Sequence, residues 1–190
     1  KAVGEGIQPI VGCQVAVAGV LDDSPEQFTT SLRAALMAGD RDYHLVLSSG
    51  GISKGAFDVV KAVLSTHGID FGSVAMQPGG PQGSGTLTLP GCAPVAFIAL
   101  PGNPVSAYVS FEMFIRPVLA MALGLPERVL ATATLTEDLE SVPGKLQVRR
   151  GSHANGTVTP VGGASSHLLA ALAASNAFIL LDEETTTLPA

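Results

Sequence analysis

The sequence predicts an α/β protein in which a mostly parallel sheet, covered by helices on both faces, precedes a small β-rich part. Three observations lead there. Short apolar runs alternate with segments of helical period from Gln14 to Leu123. Two of those runs end in glycine-bearing turns, Ser48 to Asp58 and Leu100 to Ala107, each followed by a helical pattern. After Gly124-Leu125-Pro126 the helical period stops, and short strands separated by turns take over. Residues 1–125 are therefore assigned to the α/β domain and residues 126–190 to the β-rich one.

Taken in order, Gln14 to Val20 reads as a buried strand, and Asp22-Asp23-Ser24-Pro25 caps a helix with Phe28, Leu32 and Leu36 on one face, ending near Gly39. Leu45 to Leu47 is the next strand. Phe57 to Leu64 carries Val59, Val60, Val63 and Leu64 at helical spacing and is closed by His67-Gly68. A strand around Phe71 to Met76 leads into a Pro/Gly-rich loop, Gln77 to Gly85. Thr86 to Leu89 and Val95 to Leu100 then read as neighbouring strands joined at Pro90-Gly91, and a long helix runs from Pro104 to about Leu123. In the last third, Val129 to Leu135, Leu146 to Arg150, Thr157 to Pro160 and Phe178 to Leu181 read as strands.

Composition narrows the functions. A formal net charge of -6 argues against nucleic acid, because a phosphate backbone demands a basic face to displace its counterions. Cys13 and Cys92 stand far apart in apolar company, so they are expected to be reduced and buried, which points to the cytoplasm. Val105 to Leu123 approaches the length of a membrane span, but Glu112, Arg116 and Pro117 interrupt it, and a buried amphipathic helix is expected instead. No membrane anchor is anticipated. Lys1 opens inside a helical pattern without a starting Met, so the chain is expected to be a fragment.

The two turns are the candidate site. In parallel α/β sheets ligands collect where the strands end in their carboxyl termini, and a helix that starts there presents backbone N–H groups and a positive dipole end to anions. In the first turn Gly50-Gly51 allows close backbone approach, Ser49 and Ser53 offer hydroxyls, and Asp58 lies near a helix start, where capping alone would explain it. Lys54-Gly55 lacks the Gly-Lys-Ser/Thr ending of a nucleotide-hydrolysing loop. In the second turn Asn103-Pro104 fits an N-cap followed by proline at the first helical position. Asp22 and Asp23, after a strand, could hold Mg²⁺ or merely cap the next helix. His44, His67, His153 and His167 share no metal-ligand spacing with one another or with the cysteines. Lys54, Arg149 and Arg150 are the cations nearest to recognisable turns.

Ser49-Gly50-Gly51-x-Ser53-x-Gly55-x-x-Asp58, together with Leu100-Pro101-Gly102-Asn103-Pro104-Val105-Ser106-Ala107, resembles the carboxyl-terminal half of the molybdopterin molybdenumtransferase family, called MoeA in bacteria and the E domain of gephyrin in animals. The likeness runs from about Lys1 to Leu181, through the Asp22-Asp23 turn, the Ala75 to Gly85 loop and the Ser165-Ser166-His167 to Ile179 stretch. It implies a three-layer αβα molybdopterin-binding domain followed by a small β-barrel-like domain, and insertion of molybdate into adenylylated molybdopterin with release of AMP. By the same likeness Asp58 and Asp22 fall on carboxylates tied to Mg²⁺, molybdate or the adenylylated cofactor. Arg150 and Ser166 fall on small-domain residues facing the site, and Ser49, Gly50, Gly51, Ser53, Pro101, Gly102, Asn103, Pro104 and Ser106 fall on the substrate-binding turns. A homodimer is implied as well.

Two departures from the family pattern stand out. Ser73, Gln77 and Gly80 occupy positions where many relatives carry lysine, leaving Lys54 as a candidate replacement. The elongated amino-terminal domains and the first strand with its Thr-Gly-Asp motif are missing, so another part of the same protein is expected to complete the domain. Two rival functions remain open: adenylyl transfer to molybdopterin, against which the Ser-Gly-Gly opening and the second domain weigh, and a non-catalytic binding or scaffolding module, which the missing lysines favour slightly.

Overall fold

A computed structural model describes residues 13–18, 24–38, 42–52, 59–128, 130–165 and 168–190. The described chain forms two compact units: Lys1–Ser73 with Pro81–Gly102, and Val74–Gly80 with Asn103–Ala190.

In the first unit, helix α1 (Pro25–Met37) starts as its sequence dictates. Ser24 is the N-cap, its hydroxyl accepting from the Gln27 N–H at 3.3 Å, with Pro25 at the first helical position. Phe28 and Leu32, one turn apart, are its buried stripe. Helix α2 (Val59–Leu64) tightens into a 3₁₀ turn over Ser65–His67, and Gly68 closes it at φ 92°. Four strands make the sheet: β1 (Leu45–Ser49), β2 (Ile69–Ser73), β4 (Pro81–Leu87) and β5 (Val95–Leu100), in the order β1-β5-β4-β2. Val46, Val95, Phe97, Ala99, Leu87, Ile69 and Phe71 share one core with Phe28, Leu32, Val63 and Leu64, so both helices cover the same apolar face.

The α/β class holds, but only one of the three described pairings is parallel. β1 pairs β5 in parallel, whereas β4 pairs antiparallel with both β5 and β2. Chain length explains the difference. A parallel crossover takes a dozen or more residues, and the segments that join β2 to β4 and β4 to β5 are too short for one. Two further expectations are corrected. Residues 14–18, the described part of the strand expected over Gln14 to Val20, have no regular structure and are largely exposed; Ala16 and Ala18 bring little side chain to a sheet. Residues 81–85, expected as loop, are the first part of β4. Glycine is a poor strand former, yet Gly83 is required there because a Cβ would stand 2.5 Å from the Phe71 ring.

In the second unit a single helix, α3, spans Pro104–Ala122, with a π turn at Phe111–Ile115. It is long and apolar enough to cross a membrane, and half of its most apolar window is buried within the protein. Val105 and Val109 pack with Met76 and Val148, and Tyr108 meets the Phe178 ring edge to face, centroids 6.2 Å apart. Glu112, 4 % exposed, is paired with Arg116 at 3.8 Å and with Arg128, so its buried charge is compensated. The β-rich part is built on β8 (Leu146–Ala154), flanked antiparallel by β9 (Thr157–Pro160) and β10 (Ala177–Leu181), with β6 (Thr134–Leu135) beside β9. Strand β3 (Met76–Gln77) joins β8 in parallel, Met76 opposite Leu146 and Gln77 opposite Gln147. Leu135, Leu139, Val158, Ile179 and Leu181 form the second core of this unit. Helix α4 (Leu169–Ala173), strand β7 (Leu139–Glu140) and strand β11 (Thr187–Leu188) were not expected from the sequence.

Candidate functional site

In the first unit the two turns meet. Parallel pairing aligns Ser49 with Leu100, so β1 and β5 end at the same edge. There the Gly50 N–H donates to the Leu100 carbonyl at 3.1 Å, and the Ser49 hydroxyl donates to the Pro101 carbonyl at 3.2 Å. A Cβ on Gly102 would lie 3.1 Å from the Gly50 Cα, which places the two backbones in direct contact. Gly50 and Gly51 hold φ values of 99° and 70°, open to glycine at little cost. A Cβ on Gly51 would run into Val60, and its carbonyl accepts from the Lys61 N–H at 3.3 Å, which ties the turn to the start of α2.

In the second unit Asn103 caps α3 more completely than expected. Its Oδ1 accepts from the N–H groups of Val105 at 3.0 Å and Ser106 at 3.1 Å, and its carbonyl accepts from Ala107 at 2.9 Å. Pro104 has no N–H. The first-turn donors of this helix are thus satisfied by the chain itself, as is that of Gly50. The helix dipole remains, and among the described residues of the turns the N–H groups of Gly51, Gly102 and Asn103 have no described backbone acceptor.

Arg150 is 2 % exposed on β8, opposite Phe178. Its Nη2 donates to the Gly163 carbonyl, and its Nε has no described partner. Burial, and next the charge of Arg149, hold its guanidinium below the ordinary arginine value. Arg149 is lowered by burial alone and bonds the Glu140 carbonyl at 3.2 Å. Among the described residues neither guanidinium has a carboxylate partner, although the two occupy adjacent positions of one strand.

Asp22, Ser53, Lys54, Asp58 and Ser166 lie outside the described residues, as do Asp23 and His167. Of the expected set, Ser49, Gly50, Gly51, Pro101 and Gly102 come together in the first unit. Asn103, Pro104 and Ser106 form one helix start in the second, where Arg150 is buried rather than solvated. Cys13 and Cys92 are free and only partly buried. Among the described residues no three His, Cys, Asp or Glu side chains converge as metal ligands. The sequence reading passed over Gly79, buried at φ 103°; the Pro78-Gly79 dipeptide signals a turn but not what the turn touches.

Comparison with known proteins gives a consistent picture. Residues 8–121 match the family described as "Probable molybdopterin binding domain", and residues 132–190 match the MoeA C-terminal region, domain IV. Molybdopterin molybdenumtransferase 2 of Mycobacterium tuberculosis is 41% identical over 184 residues, covering 91% of this chain and 43% of that protein. Molybdopterin molybdenumtransferase of Haemophilus influenzae is 36% identical over 183 residues, covering 90% and 43%. The crystal structure of the molybdopterin biosynthesis MoeA protein of Pyrococcus horikoshii superposes with a TM-score of 0.72 at 22% identity, over 98% of this chain and 43% of that one, which shows the shared fold. The chain thus spans less than half the length of these relatives.

Proposed function

The chain belongs to the molybdopterin molybdenumtransferase family, whose carboxyl-terminal half it matches, and on that premise we propose that the protein inserts molybdate into adenylylated molybdopterin, with release of AMP. The observation that carries this reading is the contact of Gly50 with Gly102 at the carboxyl ends of the parallel pair β1 and β5. Side-chain-free backbone at that edge admits a bulky phosphorylated ligand close to the main chain, where the N–H groups of Gly51 and Gly102 can donate to it. Ser49 braces the second turn through Pro101, and Pro104 with Ser106 belongs to the capped helix start that supplies a positive dipole end. Arg150 offers a buried cation without a described carboxylate, suited to an anionic group once one is bound. Ser53 and Ser166 are proposed as hydroxyl contacts.

Asp58 and Asp22 are proposed to hold Mg²⁺, since two carboxylates are hard oxygen donors of the kind that ion takes. When bound, the metal would neutralise phosphate and molybdate oxygens. The residue positions call for no protein nucleophile: the chain binds, orients and balances charge. A homodimer, a cytoplasmic location and completion of the site by the remainder of the relatives' length belong to the same proposal.

Turnover of the full-length protein with adenylylated molybdopterin, molybdate and Mg²⁺ is the test. Metal insertion with stoichiometric AMP supports the reading. Adenylyl transfer from ATP to molybdopterin, or tight binding with neither reaction, would replace it with a transferase of the other kind or a binding module.

A further inference from the structure

Strand β8 turns different chemistry to its two sides. Val148 packs with Val105 and Val109 of α3, and Arg150, two positions on, lies on that same side. Gln147 and Arg149 alternate to the other. They stand opposite Leu181 and Ile179 of β10, which share the small core with Leu135, Leu139 and Val158. Two polar side chains thus enter an apolar cluster. Gln147 is 1 % exposed, and its Oε1 has no described partner. The Arg149 Nη1 donates to the Glu140 carbonyl at 3.2 Å, at the end of β7, while its Nε is buried without a described partner. Ser141 follows directly, held by its N–H to the Thr186 carbonyl at 2.9 Å, and its hydroxyl is buried and unpartnered in the same way. These are three of the six such atoms among the described residues, so the unmet hydrogen bonds are concentrated rather than scattered.

A buried polar atom is costly unless something bonds it, and a buried guanidinium more so. Burial holds Arg149 below the ordinary arginine value, and among the described residues no carboxylate pairs with it. Two nearby acids are engaged elsewhere: Asp138 accepts from the Ala190 N–H at 2.9 Å, and Asp182 accepts from the Thr185 N–H and hydroxyl. What the cluster offers is one cationic N–H, one hydroxyl and one carbonyl oxygen. The first two donate to anion oxygens, and the third accepts a hydrogen.

We propose that Arg149, Ser141 and Gln147 form a second binding site, on the side of β8 away from Arg150, for a small oxyanion that carries a proton, of the hydrogen-phosphate class. The Arg149 Nε–H and the Ser141 hydroxyl donate to its oxygens, and its own O–H donates to the Gln147 Oε1. Arg149 and Ser141 are only partly buried and form the open side, whereas Gln147 lies at the closed end. Sulfate has the same shape but bears no proton at neutral pH, so one of its oxygens would face the Gln147 carbonyl with no hydrogen between them.

Isothermal titration of the full-length protein at neutral pH, with inorganic phosphate and with sulfate at matched ionic strength, tests this. Phosphate should bind about tenfold more tightly than sulfate or better. Arg149→Met should weaken phosphate binding about tenfold or more, Ser141→Ala less, and Gln147→Leu should narrow the gap between the two anions. Lys145→Met removes an exposed charge just before β8 and, as the control, should change nothing. Should Arg149→Met not fold, Arg149→Lys keeps the charge but loses the Nε–H, and carries the same expectation. Equal affinity for the two anions, phosphate affinity unmoved by the Arg149 variant, or an equal loss in Lys145→Met overturns the proposal. None of these outcomes depends on whether the protein inserts molybdate.

Discussion

Gly50 and Gly102 touch through their backbones: a Cβ on Gly102 would stand 3.1 Å from the Gly50 Cα, although the two are 52 positions apart along the chain. A Cβ on Gly102 presses on this contact, whereas one on Gly50 would lie at an ordinary 3.9 Å from the Gly102 Cα. Gly50→Ala must, however, hold φ near 99°. It is expected to lose about 1–2 kcal/mol of stability, read by chemical denaturation, and to reduce AMP release in the full-length protein. Unchanged AMP release would remove the turns from the site.

Arg150 is expected to show the opposite balance between stability and function. Because its buried charge has no described carboxylate, Arg150→Met should leave stability within about 1 kcal/mol of wild type or raise it. Affinity for adenylylated molybdopterin should fall about a hundredfold, as titration calorimetry would read. A large loss of stability with unaltered affinity would make Arg150 structural.

Asn103→Ala removes the acceptor of two first-turn N–H groups and should cost about 1 kcal/mol, whereas Asn103→Asp keeps the cap and should cost little. The denaturation midpoints of the two variants check this directly.

Asp58→Asn and Asp22→Asn are each expected to lower metal insertion about a hundredfold in the full-length protein, and chelation of Mg²⁺ should abolish it. Insertion at the wild-type rate by Asp58→Asn would sink the metal assignment.

Asp182 accepts from the Thr185 hydroxyl at 2.6 Å, the Thr185 N–H at 2.7 Å and the Glu184 N–H at 3.2 Å, and the Thr185 bonds above all hold its carboxyl below the ordinary value. A depressed folded-state value means that the unfolded chain binds the proton first. The stabilisation is therefore present above the ordinary aspartate range and is lost as pH falls through the folded-state value. Comparing acid unfolding of wild type and Asp182→Asn should show a smaller pH dependence in the variant.

Much of the fold was legible because its punctuation is local. Ser24-Pro25, Asn103-Pro104 and His67-Gly68 mark helix ends by capping chemistry that needs no partner, and all three lie where expected. The β1 and β5 turns were legible for the same reason. What escaped depends on contacts distant in sequence: the strand character of residues 81–85, the seat of Gly79 on α3, and two-residue strands such as β7 and β11, too short for any period to emerge. Sequence also suggested N–H groups free to bind an anion at the start of α3, because a cap is visible in a sequence while the number of donors it consumes is not.

Phe71 and Gly83 face each other across the β2/β4 pair, the ring filling the space above the glycine. Neither position can drift alone: a smaller residue at 71 uncovers the hairpin, and a larger one at 83 expels the ring. Homologous chains that keep this hairpin should therefore exchange the two volumes as a coupled pair, bulky on one strand wherever the other is bare, and that correlated variation would register the sheet edge without any coordinates.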